Sequence, residues 1–138
     1  MGLMKGRVIV LAGCLMFGPL SWAVADEVAE QPAAGAVEAP DAAHGRMIFE
    51  NICSHCHNAS HETSAVGAPG LMDVIERHDE AWLDRWLSGP EAFAANDEDA
   101  KALVESNPYG LVMPTLPEMQ DPKNRRDVIA FLKTLRSK

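Results

Sequence analysis

Apolar residues recur at helical spacing in several stretches of this chain, with segments rich in Pro and Gly between them. In the first, Gly45, Phe49, Ile52, Cys53 and Cys56 fall along one stripe. That spacing predicts a helix opening near Asp41, which is a suitable N-cap. Trp82, Leu83, Trp86 and Leu87 share a face of a second helix over Glu80–Ser88, which the Gly89-Pro90 pair stops. A weaker acidic helix is expected from Asp97 to Glu105, with Asn96 as its cap and Asp99 three residues on. The last helix has the clearest pattern. Asp121 caps it, Pro122 fits its first turn, and Val128, Phe131, Leu132 and Leu135 form a buried stripe. Its Lys133, Arg136 and Lys138 suit the negative end of the helix dipole. No run alternates as a half-buried strand does, and no repeat is visible. The expectation is an all-α domain over residues 42–138.

The first 41 residues follow other rules. Lys5 and Arg7 precede an apolar run from Val8 to Leu20, and "AVA" at 23–25 supplies small residues before Asp26. This arrangement predicts a signal peptide over residues 1–25, hence export to the periplasm. The run falls short of the about 20 residues a bilayer crossing needs, so no stable membrane insertion is expected. "LAGC" at 11–14 resembles a lipobox, with lipid attachment at Cys14 as the lesser alternative. Residues 26–41 carry five acids and no base among Ala, Pro and Gly, which predicts a flexible acidic linker.

Charge narrows the partners. Removing residues 1–25 takes away Lys5 and Arg7 and no acid, leaving ten bases against 20 acids. Nucleic acid and anionic lipid attract basic surfaces, so both are excluded, while a basic protein partner is permitted. Acids cluster from Glu91 to Glu105 and bases from Lys123 to Lys138, two candidate faces for charge-steered docking. A domain of this size is short for a self-sufficient core and often relies on a cofactor or a staple.

"CSHCH" at residues 53–57 is the candidate for that support. Zinc needs four ligands, usually from two spaced pairs, and no second cysteine pair follows. A redox dithiol wants a βαβ setting, whereas this neighbourhood is helical, and a plain disulfide loop leaves the histidine without a role. Covalent haem attachment uses all three residues: Cys53 and Cys56 form thioethers with the two vinyl groups, and His57 supplies an axial nitrogen. His55 is a bystander. The second axial position is assigned to Met113, in "NPYGLVMPTLP" at 107–117, where three prolines and a glycine stiffen an extended loop. Met119, Met72 and His78 are the alternatives, in that order. A His/Met pair fills both axial positions and favours the reduced iron.

These motifs resemble those of the class I cytochromes c, over essentially all of residues 42–138. The resemblance rests on Gly45-x-x-x-Phe49, Cys53-x-x-Cys56-His57, the Pro69–Leu71 segment, Met113-Pro114, and Phe131 in the final "VIAFLKTLR" helix. It implies several helices wrapped around one haem c, with the N- and C-terminal helices crossing and Gly45 and Phe49 meeting Phe131. It also implies a carbonyl that receives the His57 ring N–H, from Pro69 or its neighbours Ala68 and Gly67. "WLDRWLSGPEAF" at 82–93 resembles a segment of many bacterial members. Trp86 is its propionate candidate, with Arg85 and Tyr109 as weaker ones. The acidic stretch between Phe93 and Tyr109 departs from compact members and leaves open what covers one haem edge.

The function implied is single-electron transfer rather than catalysis. The donor would be a dehydrogenase or cytochrome complex and the acceptor a reductase or oxidase. The alternatives are a subunit held permanently on a larger oxidoreductase, or a haem enzyme or gas sensor with an open sixth site.

Overall fold

A computed structural model describes residues 38–138. The expected signal peptide, Cys14 and most of the expected linker lie outside the described residues.

The chain folds into helices alone among the described residues. Helix α1 spans Ala42–Asn51, and the Asp41 carboxylate accepts the backbone N–H groups of Ala43 and His44 at its start. It gives way to a 3₁₀ turn at Cys53–His55. A single turn, α2, covers Val74–Arg77, and α3 covers Glu80–Ser88, capped by Asp79 through the Trp82 N–H at 2.7 Å. Then come α4 at Pro90–Ala94, α5 at Glu98–Glu105, a 3₁₀ turn at Pro117–Gln120, and α6 at Pro122–Leu132.

Three details differ from the apolar pattern's expectations. Gly89-Pro90 ends α3 but Pro90 at once begins α4, because its fixed φ and missing N–H suit a first helical position. Asp97 caps α5, accepting the Ala100 N–H at 3.0 Å, while Asn96 turns its side chain back to the Ala92 carbonyl. Asp127, which reads in sequence as the one acid of a basic surface run, is buried in α6 at 1% exposure.

The last difference explains how α1 and α6 are joined. A Cβ on Gly45 would stand 1.9 Å from the Asp127 carbonyl oxygen, so only glycine lets the two backbones meet there. Beside this contact the Phe49 and Phe131 rings pack with centroids 5.2 Å apart. Asp127 accepts from the Asp41 N–H, from His44 Nδ1 and from Lys123 Nζ, each at 2.8 Å. Burial alone would push this carboxyl's pKa up; those three donors outweigh it and hold the pKa at about 2. Asp41 therefore belongs to the folded unit, and Glu38 reaches Lys123 as well.

Helix α3 lies against α6. Val128, Ile129 and Leu132 join Trp82, Leu83 and Leu87 in the core, with Phe49, Val74, Ala100 and Met119. Two ion pairs cross this junction, Arg125–Asp84 and Lys133–Glu80. Half of the six bases between Lys123 and Lys138 thus pair with acids of this chain.

Candidate cofactor site

Between these helices lies a cavity of about 340 Å³, within the roughly 300–1,000 Å³ typical of small-molecule pockets. Most of its wall is apolar, from Phe49 and Ile52 through Leu71 and Val74 to Leu103 and Leu132. Cys53, Cys56, His57, Pro69, Trp86 and Met113 all reach it. These six come from four separate stretches of chain, brought to one space by α1, α3 and the loops after them.

The Cys53–His57 stretch is shaped by its own turn. The Cys53 carbonyl accepts the N–H groups of Cys56 at 3.1 Å and His57 at 2.8 Å. The Cys53 thiol is partly buried, which pushes its pKa up to about 11, and Cys56 is exposed. Neither is joined in a disulfide.

His57 Nδ1 lies 2.9 Å from the Pro69 carbonyl oxygen. A carbonyl only accepts, so Nδ1 carries the proton and Nε2 is left with its lone pair. Burial lowers the imidazole's proton affinity and the Pro69 bond partly restores it. The Ala68 carbonyl is occupied by the Ser64 N–H at 2.9 Å. Gly70 lets this segment approach closely, since a Cβ there would stand 2.2 Å from the Ser60 carbonyl oxygen.

On another wall Trp86 Nε1 donates to Met113 Sδ at 3.2 Å. An indole has one N–H to give, and here it is directed at sulfur. Trp86 stacks on Trp82 at 5.4 Å between centroids, and Trp82 stacks on His78 at 3.8 Å. Of the four residues considered for a second axial ligand, Met113 and His78 line the cavity. Met119 is wholly buried in the core, and the Met72 backbone is held by Ser60 and Arg77.

Among the propionate candidates, Arg85 lies over the Phe93 ring at 4.6 Å and Tyr109 is 66% exposed; neither lines the cavity. Arg77 does, with its guanidinium held by the carbonyls of Met72 and Gly70 at 2.9 Å each. Sequence reasoning passed over Arg77 because a lone arginine on a one-turn helix gives no periodic signal. It also left open what the acidic insertion covers. Leu103, Val104 and Asn107 of that insertion form part of the wall, and Asn107 Nδ2 ties it to the Val66 carbonyl at 3.2 Å.

This donor set fits a covalently attached haem. Two unpaired thiols, an imidazole with one nitrogen already committed, and a thioether share one apolar cavity.

Comparison with known proteins agrees. Residues 42–136 match the family model described as "Cytochrome c". No curated protein matches the chain. Among solved structures, a cytochrome c from Rhodothermus marinus is similar with a TM-score of 0.59 and 22% identity, over 68% of this chain and 75% of that one. The cytochrome c domain of the pp3183 protein from Pseudomonas putida is similar with a TM-score of 0.55 and 28% identity, over 65% of this chain and 85% of that one.

Proposed function

The chain belongs to the cytochrome c family, and from that premise we propose that it is a periplasmic carrier of single electrons with one haem c under His57/Met113 ligation. The coarser part follows from membership: the family binds haem c covalently, works by electron transfer, and is typically exported. Among the described residues no helix is long and apolar enough to cross a membrane.

Haem, when bound, supplies a one-electron iron couple. The residues divide the remaining work. Cys53 and Cys56 hold the group by thioether bonds, so that partners can come and go without removing it. His57 ligates through Nε2, because the Pro69 carbonyl fixes the ring and its tautomer through Nδ1. Met113 supplies a soft sulfur that favours the reduced state. The Trp86 N–H on that sulfur withdraws electron density and acts in the same direction. The apolar wall disfavours the added positive charge of the oxidised state. Arg77 suits a propionate better than Arg85 or Tyr109, since it alone of the three lines the cavity. Trp86, directed at sulfur, fits the tuning role better than the propionate role.

The observation that carries this reading is that Met113 lines the same cavity as Cys53, Cys56 and His57. With His57 and Met113 both holding the iron, the group would supply electron transfer and would offer no open position to a substrate. Replacing Met113 by Ala is expected to abolish the long-wavelength sulfur–iron absorption of the oxidised protein and to lower its potential. An unchanged spectrum would remove Met113 as ligand.

The partners proposed are a dehydrogenase or cytochrome complex as donor and a reductase or oxidase as acceptor. Encounter is steered by the acids of α5, where Glu98, Asp99 and Glu105 are exposed. Glu91, which belongs to the same acidic run, is engaged within the fold by Thr115.

A further inference from the structure

The segment that bears Met113 has little backbone structure of its own. Among the described residues, Thr115 carries the one backbone N–H between Val112 and Leu116 that donates a hydrogen bond. Its acceptor is not nearby backbone but Glu91 Oε1, at 3.2 Å, and the Thr115 hydroxyl donates to Glu91 Oε2. Both carboxylate oxygens of Glu91 are therefore spent on one residue. That residue lies two positions beyond Met113, and Pro114 between them has its φ fixed by its ring.

Glu91 stands on a firm base. It sits in the first turn of α4, next to Pro90, which is fully buried. Phe93, two residues on, meets Trp82 edge-on at 5.4 Å between centroids. The carboxylate is held below its usual pKa, chiefly by the Thr115 hydroxyl. A corner of α4 thus reaches across 24 residues of sequence to grip a loop whose other support is the Trp86 N–H on Met113 Sδ.

We propose that Glu91 is the positioning residue for the sulfur ligand: its carboxylate grips Thr115 at two points and, through Pro114, keeps Met113 Sδ at its station in the cavity. The inference rests on the reading of Met113 as the second axial ligand. Glu91 touches neither the cofactor site nor the sulfur, so it acts only through the loop.

An external ligand such as imidazole can enter only in molecules where the sulfur has moved away. Its apparent affinity therefore scales with the population of that displaced state. The test uses the full haem-loaded protein in its oxidised form. It compares Glu91→Ala, Thr115→Val and Met113→Ala by imidazole titration, by the sulfur–iron absorption and by the helix unfolding midpoint. Removing a two-point charged grip is expected to tighten imidazole binding in Glu91→Ala on the order of tenfold. Thr115→Val keeps its N–H and is expected to show a smaller increase. A variant carrying both Glu91→Ala and Thr115→Val should exceed Glu91→Ala little, because the two changes act on one shared interaction. The unfolding midpoint should stay close to that of the parent, which separates positioning from general support. If Met113→Ala binds imidazole readily while both single variants bind it like the parent, Glu91 has no positioning role and the ligation reading stands. If Met113→Ala keeps the sulfur–iron absorption, the ligation reading fails and this inference with it. Should Glu91→Ala not fold, Thr115→Val alone decides between the two results.

Discussion

The two sides of the cavity are held in different ways. On the histidine side, support is short in sequence: His57 leans on the carbonyl of Pro69, twelve residues on, and its backbone is fixed by the adjoining turn. Behind it, α1 is locked to α6 by the Gly45 contact and the Asp127 cluster. On the methionine side, support comes from far along the chain, through Trp86 and Glu91, 27 and 24 residues from the atoms they hold. The first side is built on helix packing and a hydrogen-bonded turn. The second is a loop kept in place by a few side-chain bonds. Under the proposed ligation, the cofactor would be attached on the side braced by helix packing, and its potential would be set on the side held by a few side-chain bonds.

The largest break in this contrast is expected at Gly45. Replacing it by Val puts a branched side chain where even a Cβ would lie 1.9 Å from the α6 backbone. Backbone cannot move aside as a flexible side chain does, so α1 and α6 must part. Overpacking costs about 1–3 kcal/mol where side chains can adjust. Here at least about 4 kcal/mol is expected, a large share of the roughly 5–15 kcal/mol that holds a domain together. Denaturant unfolding checks it, and a parent-like midpoint would mean the helices do not meet this closely.

Asp127→Asn comes next. The carboxylate is buried and takes three donors, and an amide cannot accept from all of them. A loss of about 3 kcal/mol at neutral pH is expected, in the range for breaking a buried charged cluster. The pH dependence gives the sign. The folded pKa is about 2, below the ordinary carboxylate value, so the parent's advantage is present above about pH 4 and fades as pH falls toward 2. The gap between parent and variant should narrow over that window. A gap that stays constant would show that the charge is not what Asp127 contributes.

These features were unequally legible in the sequence. Apolar spacing sufficed for α1, α3 and α6, because each buries one stripe, whereas α5 was read from its cap signals and buries only Ala100. The C-x-x-C-H spacing made it readable that Cys53, Cys56 and His57 would stand together, because they are close in the chain. The role of Asp127 was not legible, because a charged letter within a basic run looks like surface; only the fold reveals the three donors around it. Pro90 was read as a stop, though a proline that ends one helix can start another. The grips on the methionine side were invisible. Nothing local in Trp86 or Glu91 says that each will meet a residue more than twenty positions away, and Arg77 on a single turn has no period to betray it.

A smaller change, on the methionine side, is expected from Trp86→Phe. It keeps an aromatic ring to stack on Trp82 and removes the N–H that reaches Met113 Sδ. A neutral hydrogen bond is worth about 1 kcal/mol, and about 59 mV corresponds to a factor of ten for one electron. The potential should therefore fall by a few tens of millivolts, while the sulfur–iron absorption and unfolding midpoint persist. Loss of the absorption would mean that Trp86 holds the sulfur in place rather than tunes it.

The smallest effect is expected where the two sides are stitched together at the surface. Lys133 of α6 pairs with Glu80 of α3, and both side chains are about half exposed. Water and salt screen such a pair, and ordering two long side chains offsets much of the attraction, so about 0.5 kcal/mol or less is at stake. Arg125 crosses the same junction in a more sheltered setting, bonded to Asp84 and also to the Met119 carbonyl at 2.8 Å. It can hold α3 against α6 without help from Lys133. Lys133→Ala should therefore leave both the unfolding midpoint and the potential nearly unchanged. A clear shift in potential without a shift in stability would show that the surface stitch transmits strain from the α6 side to the loop bearing Met113, and that the two sides are not as independent as their construction implies.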